Sequence, residues 1–240
     1  ALPILVSADV AVLSSAQVAV FTSGQLAAMT TLDMSAMSTA DIRALTTAAL
    51  VGLTTAQAKV LVSTQAAALT SSQTATLTTE QVFALLTESV AALTTSAVRA
   101  LSAADITAMG TAQIAVLTTA QTQALNTSQI GALNTNAIRA LNTADTAALT
   151  SDQIIAMNSL QVSALSTTQV AALTAGMVTV LNTAQVVALG TANVKALTET
   201  QVRALTTGSV AALGTDQVAA LTTSQVAALT VGSVGALSTS

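Results

Sequence analysis

Thr222-Thr223-Ser224-Gln225-Val226-Ala227-Ala228-Leu229 is one octad of a pattern that fills the chain: every eighth residue from Leu5 to Leu237 is Leu, Met or Phe, and the register never slips. The 240 residues are therefore 30 consecutive octads. A fixed short period without insertions means that each unit is one structural brick that cannot bury its own apolar face and becomes stable only by stacking on its neighbours.

Within the octad, the residue after Leu is Thr, Ser, Asn or Gly almost throughout, as in Thr46, Ser102, Asn134 and Gly214, which is the preference of a helix N-cap. Three residues on, Gln or Asp in most octads completes a capping box, in which the cap side chain accepts from the third helical N–H and the Gln reaches back to the cap. The Leu before the cap and the Val four after it stand at the two positions of a hydrophobic staple.

Charge placement agrees with a helix. All six basic residues (Arg43, Lys59, Arg99, Arg139, Lys195 and Arg203) occupy the slot after Val. The ten acids lie earlier in the octad: Asp9, Asp33, Asp41, Asp105 and Asp145 in the Gln slot, Glu80, Glu88, Asp152 and Asp216 one before it, Glu199 two before. Acids in the first turn and bases toward the last are what a helix dipole favours, each contributing about 0.3–1 kcal/mol where exposed.

One continuous helix fails on geometry. Eight residues at about 100° each make about 800°, so an apolar stripe would rotate by about 80° per octad and never face one partner. The break belongs at the Leu–cap junction, leaving helices of about six residues, too short to survive without packing. The expectation is an all-α solenoid of about 30 short capped helices, one per octad, running over residues 1–240 as a single continuous domain. A β-solenoid is the alternative, since Thr and Val favour strands, although Ala in so many octads disfavours it. The small residue before each Leu, as in Ala204 and Ala212, suits closely packed backbones, and the slot after Val, which also accepts Phe83 and Ile155, is expected to face solvent.

Composition excludes several function classes. Hydrophobic residues make up 52% and aromatics 1%, so the core is built from Ala, Val and Leu. A net charge of −4 with six basic residues offers no cationic stripe for nucleic acid or an anionic bilayer. Polar residues recur within every octad, so no apolar run reaches the length of a membrane span. Without Cys or His, thiolate and Ser-His-Asp chemistry and the common zinc sites are excluded. The scattered acids, such as Asp33 with Asp41 or Glu80 with Glu88, form no calcium loop, and the glycines show no phosphate-loop spacing. Asn126-Thr127-Ser128 is a formal glycosylation sequon. No catalytic, cofactor-binding or metal residue is assigned, and no cofactor or small-molecule substrate is expected.

Runs such as Val218-Ala219-Ala220-Leu221-Thr222-Thr223-Ser224-Gln225-Val226 resemble the Ala-Leu-Thr-Thr-x-Gln-Val octads that recur in very large bacterial surface and secreted proteins. The resemblance covers essentially the whole chain, implies an extracellular structural role, and transfers no functional residue. The expected function is a rod, spacer or filament segment on or outside a bacterial cell, of order 60–100 Å if three or four octads complete a turn and turns stack at about 8–10 Å. The alternatives are a module binding ice or another repetitive surface through its Thr array, including Thr191, Thr207, Thr215 and Thr223, and a peptide-binding solenoid, which would need anchors this surface hardly has. An enzyme is not expected. Ala1 takes the slot that follows that of Ser240, and the segment from Ala1 to Val6 is strongly apolar, so the expected partner is a second copy end to end or further repeats.

The face assignment yields a direct test: Leu221→Asp is expected to lower the thermal denaturation midpoint far more than Ala219→Asp, because it buries an unpaired carboxylate at a cost of several kcal/mol.

Overall fold

The computed structural model describes residues 7–237. The apolar segment at residues 1–6, which includes Pro3 and on which the end-to-end expectation leans, lies outside the described residues, as do 238–240. Among the described residues every regular element is a short helix and no strand occurs. Helices of mostly six residues recur once per octad, from α1 (Ser7–Val10) to α29 (Val231–Ala236). The β alternative is thereby set aside.

The helices break where the octad places its Leu and its cap. Leu101 has φ −59° and ψ 140°, and the following Ser102 has φ −71° and ψ 162°, so two residues of polyproline-like backbone re-aim the chain between helices. No glycine is needed for this. The cap hydroxyl or amide then holds the break open by accepting from the third helical N–H, as in Ser102 from Asp105 at 3.1 Å and Asn134 from Ala137 at 2.9 Å. Among the described residues one junction departs from the rule: Leu189 stays helical (φ −55°, ψ −34°) and Gly190 takes φ 69°, a left-handed conformation that glycine adopts without Cβ strain.

The chain packs as two compact units, Ala1–Leu125 and Asn126–Ser240. In the first, α8 (Ser63–Ala68) packs on α11 (Thr87–Ala92) and α9 (Ser71–Thr74) on α12 (Thr95–Ala100). In the second, α20 (Ser159–Ala164) packs on α23 (Thr183–Ala188) and α22 (Ala175–Thr179) on α25 (Glu199–Ala204). Within each unit, a helix thus packs on the one three octads further on.

Burial follows the octad. Across residues 94–101, Thr94, Thr95 and Ser96 are exposed, Ala97 and Val98 buried, Arg99 exposed, Ala100 half-buried and Leu101 buried. The slot after Val faces solvent, as its composition implies, and Phe83 and Ile155 are exposed there. The acids depart from the exposed picture: Asp33, Asp41, Asp105 and Asp145 are buried at the Gln slot.

The small-residue slot is tightest at Gly52, where an added Cβ would lie 1.9 Å from the Ser23 carbonyl oxygen. That contact is with backbone, which cannot rotate away. Gly52→Ala is therefore expected to destabilise the first unit by about 1–3 kcal/mol. At Gly176, inside α22, the nearest atom to an added Cβ is the Thr174 hydroxyl at 3.8 Å, so Gly176→Ala is expected to stabilise by about 0.5–1 kcal/mol. Denaturant titration of both variants checks the opposite signs.

Candidate functional site

A six-residue helix is mostly ends. Its first four N–H groups and last four carbonyls have no partner within the helix, so an octad repeat has a polar deficit at every step. The deficit is met by the buried Gln slot. Gln121, at the start of α15 (Thr119–Ala124), accepts from the Thr118 N–H through Oε1 at 2.8 Å. Its Nε2 donates across to the C-terminal end of α11, to the Val90 carbonyl at 3.0 Å and the Leu93 carbonyl at 2.7 Å. One side chain thus caps the start of its own helix and the end of a helix four octads back.

The arrangement is repeated in both units. Gln57 donates to Leu26 and Met29, Gln73 to Ile42 and Leu45, and Gln113 to Val82 and Leu85. In the second unit Gln161 donates to Ile130 and Leu133, Gln185 to Ile154 and Met157, and Gln201 to Val170 and Leu173. The separations are 31 and 28 residues each time, while side-by-side packing joins helices three octads apart. Each turn of either unit therefore closes between three and four octads.

A primary amide fits this place because it offers an acceptor on one side and two donors on the other. Shorter side chains reach less. Asn193 bonds only the Leu165 carbonyl at 2.9 Å, and Ser89 and Ser209 only those of Leu61 and Leu181. Where the lower junction changes, so does the bond: Gln217 reaches Val186 and Val187, each at 3.1 Å, above the helical Leu189. Asp33, Asp41 and Asp105 keep the capping half but have no donor for the carbonyls below, with Ser102 N–H to Asp105 at 2.8 Å and Ser102 Oγ at 2.7 Å; Asp41 also accepts from the Ser15 hydroxyl at 3.4 Å.

The inter-turn role was not read from the octad, although a signal exists. Capping boxes accept Glu as readily as Gln, yet no Glu occupies this slot in any octad. Glu can receive the cap N–H but has no donor for the carbonyls of the turn below.

An open groove of about 980 Å³ lies in the first unit, and its lining includes Lys59, Glu80, Phe83, Leu85 and Leu86. Two exceptions to the octad meet there, Phe83 in the solvent slot and Leu86 in place of a cap hydroxyl; both side chains are exposed. The hydrogen bond from its own backbone N–H, followed by the Thr78 and Thr79 hydroxyls, holds the Glu80 carboxyl below the ordinary value. The paired acids of the sequence act separately: Asp33 caps α4 (Thr31–Ala36) and Asp41 caps α5 (Thr39–Ala44). Among the described residues no cluster of three or more acids could hold a metal ion, and no helix is long and apolar enough to cross a membrane.

The amide's contribution is measurable at single octads. Gln121→Met keeps the volume but removes a cap acceptor and the donors to Val90 and Leu93, and is expected to cost about 1–3 kcal/mol. The reverse change, Met177→Gln, is expected to stabilise by about 0.5–1.5 kcal/mol by placing a donor over the Thr146 and Leu149 carbonyls. Denaturant midpoints moving in the same direction for the two variants would contradict the bridging role.

Comparison with protein families gives a match to the family described as the ALTTAQ repeat at residues 34–71, 90–127, 98–135, 123–159, 178–207 and 200–231, together more than half of the chain. No curated protein and no solved structure matches it.

Proposed function

The chain belongs to the ALTTAQ repeat family, and from that premise we propose that this helical repeat protein is a structural element: a rod, spacer or filament segment on or outside a bacterial cell, extended end to end by further repeats or further copies. The observation that carries the reading is the use made of the buried polar side chains. The Gln slot, which holds nearly all the long buried polar groups, is given over to joining one turn to the next. A chain built this way gains length by repeating one contact, and its energetics are a sum over neighbouring repeats.

No reaction is assigned to it. The hydroxyls at the start of most octads serve as caps, for example Thr94 for Ala97 and Thr222 for Gln225, so their recurrence is accounted for without a reaction. The extracellular location rests on the resemblance of the octads to those of bacterial surface and secreted proteins. Protease accessibility of the chain on intact cells tests it.

One observation favours a second reading. Thr191, Thr207, Thr215 and Thr223, the residues after the caps, are exposed, so a row of hydroxyls is free to meet a repetitive surface such as ice. Thermal hysteresis separates this reading from the first, which expects none.

Small-angle scattering on the dilute chain tests the structural role itself. A rod of order 60–100 Å is expected, read as a maximum dimension clearly beyond the roughly 46 Å of a compact globule of this length. A value at the globular limit would overturn the rod.

A further inference from the structure

Among the helices of the first unit whose caps are described, α8, α11 and α14 (Thr111–Ala115) are the ones without a side-chain bond to the third helical N–H, because Val62, Leu86 and Gly110 stand at their caps. The three positions are spaced three octads apart. Since α8 packs on α11 and α11 on α14, the missing caps fall on successive turns at one corner of the unit. An apolar residue at a cap forfeits the bond that Ser, Thr or Asn would make there. Burial does not make up for it: Val62 is 49% and Leu86 39% exposed. At the same corner Phe83 is 61% exposed, with its Cε2 3.7 Å from where a Cβ on Gly110 would stand. An apolar patch that deprives the fold of its caps is a surface kept for a partner.

The charges beside the patch identify that partner. Glu80 lies three residues before Phe83 on α10 (Thr79–Ala84), on the same face of the helix. Lys59 stands in the Phe83 slot one turn away, on α7 (Thr55–Lys59), which packs on α10. Both side chains line the groove and both residues are exposed. Among the described residues neither is in an ion pair. The patch therefore sets one unpaired cation and one unpaired anion around an apolar centre. Such a surface is its own complement, since turning it over on itself brings Lys59 to Glu80 and Glu80 to Lys59.

We propose that two copies of this chain pair through this groove about a two-fold axis at Phe83, with Lys59 of each copy opposite Glu80 of the other. An isologous contact of this kind is closed, so it yields a dimer rather than a polymer. Phe83, Leu86 and Val62 supply its apolar centre, and the two ion pairs fix its orientation. A peptide of another protein would need both charges at this spacing around an apolar side chain. A second copy has them by construction. The pairing goes beyond the structural reading above and does not depend on the rod or on what extends it.

Sedimentation equilibrium of the full chain tests the pairing, and the native chain is expected to show a monomer–dimer equilibrium. Lys59→Glu leaves two acids on the patch and Glu80→Lys two bases, and each is expected to raise the dimer dissociation constant by about tenfold or more. Arg99→Glu, in the Lys59 slot but outside the groove, is expected to leave it unchanged. The two reversals are expected to compensate: a chain carrying both pairs with itself as the native chain does. An equal mixture of the two single variants, one isotopically labelled and read by native mass spectrometry, is expected to form the mixed pair in preference to either homodimer. Leu86→Thr restores a cap hydroxyl and removes apolar surface, so it is expected to raise the thermal midpoint of the dilute monomer while weakening the dimer. A chain that stays monomeric at every concentration, leaving the groove to a peptide of another protein, overturns the proposal. So does a dimer indifferent to the single reversals, a failure of the reversals to compensate, or a Leu86→Thr change that moves stability and pairing in one direction. Scattering from the dilute chain judges the rod separately, so an extended chain that never pairs defeats the dimer alone.

Discussion

A single side-chain amide holds two helix ends at once, and the stacking of the turns rests on it. A repeat of eight residues is too short to let a helix satisfy itself, and stacking apolar faces would bury unpaired carbonyls at each step, each costing about 1–3 kcal/mol. The Gln amide removes that obstacle at its source, because its oxygen meets the cap N–H while its nitrogen meets carbonyls 28 and 31 residues away. The orientation of the amide follows from the same partners: turned over, it would set NH against NH and oxygen against oxygen.

The ladder tolerates gaps. Ala49, Ala97, Ala137 and Met177 stand in the slot without a comparable amide, and the octads around them keep the helix and the cap, as at Thr46, Thr94, Asn134 and Thr174. Stability summed over neighbouring repeats explains this, since a weak step is held by the steps on either side. The buried Asp residues are a second kind of gap: Asp41 and Asp105 bond their caps closely but send no donor downward.

The surface follows from the same division of roles. Three of eight slots form the core and the small residue lines its edge, so variation collects in the slot after Val and the two after the cap. There Arg99, Phe83 and Ile155 are exposed without disturbing the register. Phe83 and Leu86 show how a groove arises when two such exceptions fall together. Charges in these slots sit where the helix ends favour them, with acids early and bases late.

Whatever acts within eight residues is legible in the chain as written: the period, the break after each Leu, the caps at Thr94 or Asn134, the buried Val and Leu, and the exposed slot that carries Arg and Lys. These are local matters of helix termini and of which face a side chain takes. Which octads meet is a different kind of question, and packing answers it. Every octad offers the same carbonyls and most offer the same amide, so nothing in Gln121 itself distinguishes Val90 and Leu93 from the matching residues one octad away. The rotation accumulated at the successive junctions makes that choice, and it also brings Gly52 against Ser23 and places Asp33, Asp41 and Asp105 in the interior. Such a rotation is a property of the packed turns, which is why no period longer than the octad appears in the sequence.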